Sequence, residues 1–90
     1  MKSRRRNTNM VTTQILKVCT KGASKTRVIY KANLNSTIGT HYLDNLMKNG
    51  LIEAIPNGSR ITYKTTSKGL DLQEKLGQYQ SIMDHLYATV

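Results

Sequence analysis

Apolar positions recur along this chain in two different periods, and the points where the period changes mark its elements. Val11, Ile15, Val18 and Cys19 fall on one helical face, which predicts a first helix from roughly Thr8 to Thr20, ended by Lys21–Gly22. Ser24 is suited to cap a second helix, roughly Lys25 to Ala32, whose apolar residues are Val28, Ile29 and Ala32. Asn33–Leu34–Asn35 breaks it. Ser36 is then placed to cap a third helix to about Asn49, with Ile38, Tyr42, Leu43, Leu46 and Met47 facing inward and Gly50 as the stop. About three residues separate the second and third helices, the spacing of a helix-turn-helix.

The period then falls to two. Leu51–Ile55 and Arg60–Thr65 flank Pro56–Asn57–Gly58–Ser59, and Asn-Gly is the strongest short hairpin signal. A two-residue turn at Asn57–Gly58 pairs Ala54 with Ile61 and Ile52 with Tyr63 on one face. Glu53–Thr62 and Ile55–Arg60 then share the other, more polar face. Helical periodicity returns at Ser67, read as the cap of a last helix running to the end of the chain. Its residues Leu72, Leu76, Tyr79, Met83, Leu86 and Val90 follow the 4-3-4-3-4 spacing of a heptad seam. The division expected is a basic arm over 1–7, one domain over 8–66, and a pairing helix over 67–90.

Charge changes the picture. The 90-residue chain has a net charge of +9, and residues 1–43 hold nine Lys or Arg with no Asp or Glu, whereas the last 24 residues hold two Lys against three acids. Such asymmetry calls for a polyanionic partner, most commonly nucleic acid. A chain this short forms one domain and buries about 60–65% of its unfolded surface, too little for a core and a deep substrate cavity together. No apolar run reaches the ~18 residues of a membrane span, and no apolar h-region follows MKSRRRNTN, so neither a membrane protein nor a secretory signal is expected. Cys19, set among apolar residues, reads as a buried inert thiol, in keeping with a reducing, cytoplasmic compartment. His41 and His85 are far apart, and no nucleophile motif, phosphate loop or paired carboxylates occur. No enzyme activity, metal, cofactor or small-molecule ligand is expected.

Three helices, a hairpin and a long helix, with the positive charge concentrated in the first three, make a winged helix-turn-helix: mainly α with a small β-hairpin, an α+β class. Several segments carry a closer likeness: Lys25-Thr26-Arg27-Val28-Ile29-Tyr30-Lys31-Ala32-Asn33-Leu34, then Tyr42-Leu43, Leu46-Met47-Lys48-Asn49-Gly50-Leu51-Ile52, and Tyr63-Lys64-Thr65-Thr66-Ser67-Lys68-Gly69. Together, over residues from about 10 to 76, they resemble the small basic archaeal winged-helix proteins with a C-terminal coiled-coil helix. That family includes chromatin-type DNA binders of Sulfolobus and related presumed transcription regulators. The resemblance implies dimers joined by an antiparallel coiled coil of the last helix, bound to duplex DNA and nucleoid-associated. The chain departs from the family in the small, hydroxylated start of its third helix, Asn35-Ser36-Thr37-Ile38-Gly39-Thr40, and in a shorter last helix.

On this reading the third helix enters the major groove, presenting Ser36, Thr37, Thr40, His41 and Asp44. Hydroxyls and an imidazole can contact base edges or phosphates. None makes the bidentate Arg–guanine or Asn–adenine contact, which favours modest specificity. Lys25, Thr26, Arg27 and Lys31 are candidates for backbone phosphates. Asn57, Arg60 and Lys64 on the wing are candidates for an adjacent groove, and Arg4, Arg5 and Arg6 for a groove-tracking arm. Leu72, Leu76, Tyr79, Ile82, Met83, Leu86 and Val90 are the candidate dimer residues. The seam's flanking positions, Gln73, Gln80, Tyr87, Lys75, Ile82 and Thr89, hold no charge pairs that fix strand orientation. The function expected is a homodimeric double-stranded-DNA binder, either transcription regulator or chromatin architectural factor. The alternatives are an RNA-binding winged helix and a protein-interaction module. An A-form major groove too narrow for a helix speaks against the first, and an otherwise unexplained acid-free half against the second.

Overall fold

A computed structural model describes residues 8–88. The elements run α1 (Thr8–Val18), α2 (Lys25–Ala32), α3 (Ser36–Lys48), β1 (Ile52–Asn57), β2 (Arg60–Thr65) and α4 (Ser67–Leu86). The class is the one expected. The expected basic arm, Arg4–Arg6, and Val90 of the heptad seam lie outside the described residues.

Local chemistry accounts for most element ends. The Ser24 hydroxyl accepts from the Arg27 amide at 3.2 Å, opening α2, and Asn33 closes it in the left-handed region at φ 54°. Two caps differ from expectation. At α3 the cap is Asn35, whose Oδ1 accepts from the Ile38 amide at 2.8 Å; Ser36 is the first helical residue. At α4 the cap is Thr66 rather than Ser67, its Oγ1 accepting from the Gly69 amide at 3.1 Å. In each pair of eligible neighbours the residue held extended by the preceding turn (Asn35) or strand (Thr66) takes the cap position. The first helix also stops two residues early, because the Thr20 amide bonds to Lys17 in a tightened last turn.

The hairpin register is corrected as well. The strands pair Ile52 with Thr65, Ala54 with Tyr63, Pro56 with Ile61 and Asn57 with Arg60, so Gly58–Ser59 form the turn. Gly58 takes φ +66° and Ser59 does not, the pattern of a type II′ turn. The reason is Pro56. A turn at Asn57–Gly58 would place it in the hydrogen-bonded closing pair, where it has no N–H to donate. In the observed register it occupies the next, non-hydrogen-bonded pair. The shift is two residues, so the faces assigned to each side chain survive.

The core gathers Val11, Ile15, Leu16 and Cys19 of the first helix and its end, Ala23, Val28 and Ala32, Leu43 and Leu46, and Ile52. Leu16 is fully buried where Val18 was expected, and Val18 packs only at the margin. Ile38, expected inside, is 44% exposed; its neighbour Gly39 faces α2 instead, and a Cβ there would lie 2.6 Å from Ile29 Cγ1. Gly39 thereby permits the close α2–α3 crossing.

Two long-range ties hold the wing and α4. Ala23 forms an isolated antiparallel bridge with Tyr63, with N···O distances of 2.9 and 2.8 Å, binding the wing's base to the start of α2. The buried Thr65 hydroxyl donates to the Leu16 carbonyl at 2.7 Å. The N-terminus of α4 is sewn to the end of α3: Thr66 Oγ1 donates to the Gly50 carbonyl and Lys68 Nζ to the Asn49 carbonyl. Thr20 lies beside Gln73, while Thr8 and Asn9 lie beside Tyr79, Gln80 and Met83, so α1 runs antiparallel along α4. The α4 rod makes the molecule long, 51 × 29 × 19 Å.

Candidate nucleic-acid interface

Three surfaces carry the candidate residues. On α2, the 3.6-residue period turns Val28 and Ala32 inward and leaves Arg27, Tyr30 and Lys31 on the opposite stripe, all exposed. Lys25 and Thr26, also exposed, occupy the first turn, where helix amides point outward without helical acceptors. On α3, burial of Gly39, Leu43 and Leu46 directs Ser36, Thr37, His41 and Asp44 to solvent, with Thr40 half-buried. These five side chains line one shallow depression. On the wing, Asn57 and Arg60 form the pair that closes the hairpin, and Lys64 pairs in register with Glu53; all four are exposed.

The structure brings the α2 start and the wing together through the Ala23–Tyr63 bridge, and α2 against α3 through Gly39. Among the described residues the ion pair within the chain is Lys75–Asp71, on α4. The cations of α2 and the wing form no ion pair among the described residues, although Lys64 stands opposite Glu53 on the hairpin. Asp44 is the only acid in residues 1–52, and it sits on the hydroxyl-lined face. Cys19 belongs to no site: burial raises its thiol to about 11, which keeps it protonated and unreactive.

Sequence reasoning missed two exposed groups near these surfaces. Ile38 was assigned to the core by a helical pattern that cannot tell which of two adjacent residues meets α2. Tyr30, 78% exposed between Arg27 and Lys31, carried no signal beyond its position on the wheel.

The candidate dimer residues divide into two groups. Leu72, Leu76 and Met83 are half-buried within the chain, Leu72 against the core. Tyr79, Ile82 and Leu86 are 51%, 59% and 61% exposed and form a separate stripe. Met10 on α1 and Tyr87 add to the apolar surface at this end.

The family model for winged helix-turn-helix proteins matches residues 5–84. No curated protein matches the chain. Among solved structures, Sso10a-2, a DNA-binding protein from Sulfolobus solfataricus, aligns with a TM-score of 0.84 at 32% identity, covering 92% of this chain and 87% of its own. The transcriptional regulator BldR, also from Sulfolobus solfataricus, aligns with a TM-score of 0.77 at 16% identity, covering 90% and 62%. The PcaV transcriptional regulator from Streptomyces coelicolor, solved with its natural ligand, aligns at 0.74 and 18%, covering 94% and 62%. At such identities the last two share the fold alone, and this chain spans about three fifths of their length.

Proposed function

The chain belongs to the winged helix-turn-helix family, and from that premise we propose that it is a dimeric duplex-DNA-binding protein acting as a transcription regulator or chromatin architectural factor. The observation that carries this reading is the set of exposed cations on α2 and the wing, Lys25, Arg27, Lys31, Arg60 and Lys64, none of them in an ion pair among the described residues, together with the exposed polar face of α3. Helix α3 enters the major groove, the α2 cations and first-turn amides hold the backbone, and the wing reaches the neighbouring groove. Ser36, Thr37, Thr40 and His41 form contacts to bases or phosphates that discriminate weakly. The DNA-binding protein Sso10a-2, at 32% identity, supports the choice of duplex DNA as the anion.

The exposed stripe Tyr79–Ile82–Leu86 supports pairing of α4 with a second copy, since water-facing apolar groups at heptad spacing gain by burial. Twenty helical residues span about 30 Å. An antiparallel pair then sets two recognition helices on the scale of the ~34 Å that separates half-sites on one DNA face.

The test is fluorescence-anisotropy binding to a random duplex and to the protein's own promoter duplex across a salt series. Five phosphate contacts per protomer give a slope of about −4.5 in log K against log salt for one protomer on the duplex and about −9 for a dimer seated with both. Equal affinity for both duplexes assigns a chromatin-type role, and a preference of ~100-fold for the promoter assigns a regulator. Salt-insensitive or absent binding to duplex DNA refutes the reading and promotes RNA or a protein partner.

A further inference from the structure

Phosphate contacts account for the wing's cations but leave its apolar tip unused. Pro56 and Ile61 are register partners one step below the Gly58–Ser59 turn, and both are exposed, Ile61 at 50%. They occupy a non-hydrogen-bonded pair, where opposing side chains stand closest, at a Cα separation of about 4.5 Å. The two therefore form a single apolar block on one face of the ribbon. Ile55 adds apolar surface on the opposite face, 37% exposed. An exposed isoleucine by itself needs no explanation. Two, with a proline, on two consecutive register pairs at the end of a hairpin whose Ile55 face also carries Arg60 and Lys64, do.

The hairpin also has the reach to use them. Tyr63 is the last wing residue bonded to the body, through Ala23. Beyond it stand the pairs Ile55–Thr62, Pro56–Ile61 and Asn57–Arg60 and then the turn. The Thr62 methyl still packs on Gly22, so the two pairs Pro56–Ile61 and Asn57–Arg60 stand free of the body, and at ~3.3 Å per residue they project about 7 Å before the turn. That is comparable to the ~7.5 Å depth of a B-form minor groove, whose ~6 Å width is too small for two strands and their side chains. A tip of this kind can enter only where base pairs are prised apart, and Arg60, in the closing pair on the face opposite Pro56–Ile61, is placed to hold a phosphate on that side.

We propose that the Pro56–Ile61 pair is a wedge that unstacks a base step from the minor groove and bends the DNA toward the major groove. The inference rests on the DNA-binding reading above and extends it to an activity, imposed curvature. Apolar wedges of Ile and Pro kink duplexes by ~20–90° in this way. Pro56 suits the task twice. Its ring is rigid, and its missing N–H faces away from the strand partner, so the ladder loses no bond.

The experiment uses the full chain and a duplex of about 25 base pairs carrying a donor and an acceptor dye at its ends. It compares wild type with Pro56→Ser/Ile61→Thr. Both positions are exposed, and threonine keeps the β-branch, so the hairpin is preserved; Ile61→Thr alone is the fallback if circular dichroism shows a folding defect. Wild type is expected to raise energy transfer on saturation. It is also expected to prefer, by about tenfold, a duplex with one central mismatch, whose stack is already weakened. The double variant keeps affinity for the perfect duplex within about threefold and keeps the salt slope, but loses both the energy-transfer rise and the mismatch preference. Equal bending by the variant overturns the wedge, as does wild-type binding without bending or mismatch preference. Either of these leaves DNA binding intact. Failure of wild type to bind any duplex overturns both proposals together.

Discussion

Two glycines of one helix should respond oppositely to the same substitution. A Cβ on Gly69 would lie 2.1 Å from the Leu51 carbonyl oxygen and 2.6 Å from Thr65 Cγ2. Backbone oxygen and a β-branched side chain cannot swing aside, so the start of α4 must retreat by roughly 1 Å to restore van der Waals separation. The same segment carries the bond from the Gly69 amide to Thr66 Oγ1, and that hydroxyl is bonded to Gly50. Retreat thus combines overpacking, costing about 1–3 kcal/mol, with a weakened cap, costing about 1 kcal/mol. The helix-propensity gain of alanine over glycine offsets at most ~1 kcal/mol. Gly69→Ala is expected to lose about 2 kcal/mol. At Gly77 nothing lies within 4 Å of the added Cβ. Only the propensity gain remains, and Gly77→Ala should stabilise by up to ~1 kcal/mol. At ~4–8 °C per kcal/mol for a domain of this size, thermal unfolding should fall by about 8–16 °C for Gly69→Ala and rise by as much as about 4–8 °C for Gly77→Ala. All chains must be melted at one concentration, because the proposed dimerisation would couple stability to concentration. An undisturbed Gly69→Ala refutes the close approach of α4 to Leu51. A destabilised Gly77→Ala refutes the open surface there and means that a second chain's backbone sits against it.

Four further outcomes follow from particular contacts. Arg27→Ala with Lys31→Ala should weaken binding to every duplex alike and flatten the salt slope by about 1.8 per bound protomer, read by anisotropy; an unchanged slope removes both residues from the phosphate contacts. Leu86→Lys, at a position exposed in the protomer, should yield folded monomers by light scattering, and a persisting dimer would place the interface elsewhere. Thr65→Val keeps the shape but removes the hydroxyl bonded to Leu16, at about 1 kcal/mol in urea unfolding; the Leu16 carbonyl retains the Thr20 hydroxyl at 3.0 Å, so a much larger loss would point to a different cause. Burial lifts the Cys19 thiol from its ordinary 9.0 to about 11, so between those values the folded chain keeps a proton that the unfolded chain has released. Its contribution to stability is complete below about pH 9 and is lost as pH rises toward 11, by at most ~2–3 kcal/mol; Cys19→Ala should lack that part of the alkaline decline.

Much of the candidate site was legible because its information is local. The stripe Arg27–Lys31, the polar face of α3 and the cations of the wing follow from helical and strand periods together with charge, and the structure leaves them exposed. The same periods failed at Ile38. An eight-residue helix crossing at close range needs a glycine on the contact face, and that demand comes from Ile29, not from the pattern within α3. The heptad seam was legible as a repeat but not as a surface, since α1 lies along α4 and half-covers Leu72, Leu76 and Met83.

The sequence by itself determined the order and type of the elements, the position of the hairpin and the charge asymmetry, because propensity, capping and 2- or 3.6-residue periods act over a few neighbours. Tertiary structure alone decided the rest. It chose Asn35 and Thr66 over adjacent serines as caps, tied Ala23 to Tyr63, and laid α1 antiparallel on α4. It also set Gly69 against Leu51. Each of these depends on backbone groups that are distant in the chain, or on which of two eligible residues the incoming strand or turn presents. The wing register stands between the two cases. Asn57–Gly58 marked the turn, but the missing N–H of Pro56 moved it by one residue, since a hydrogen-bonded closing pair requires a donor that proline lacks.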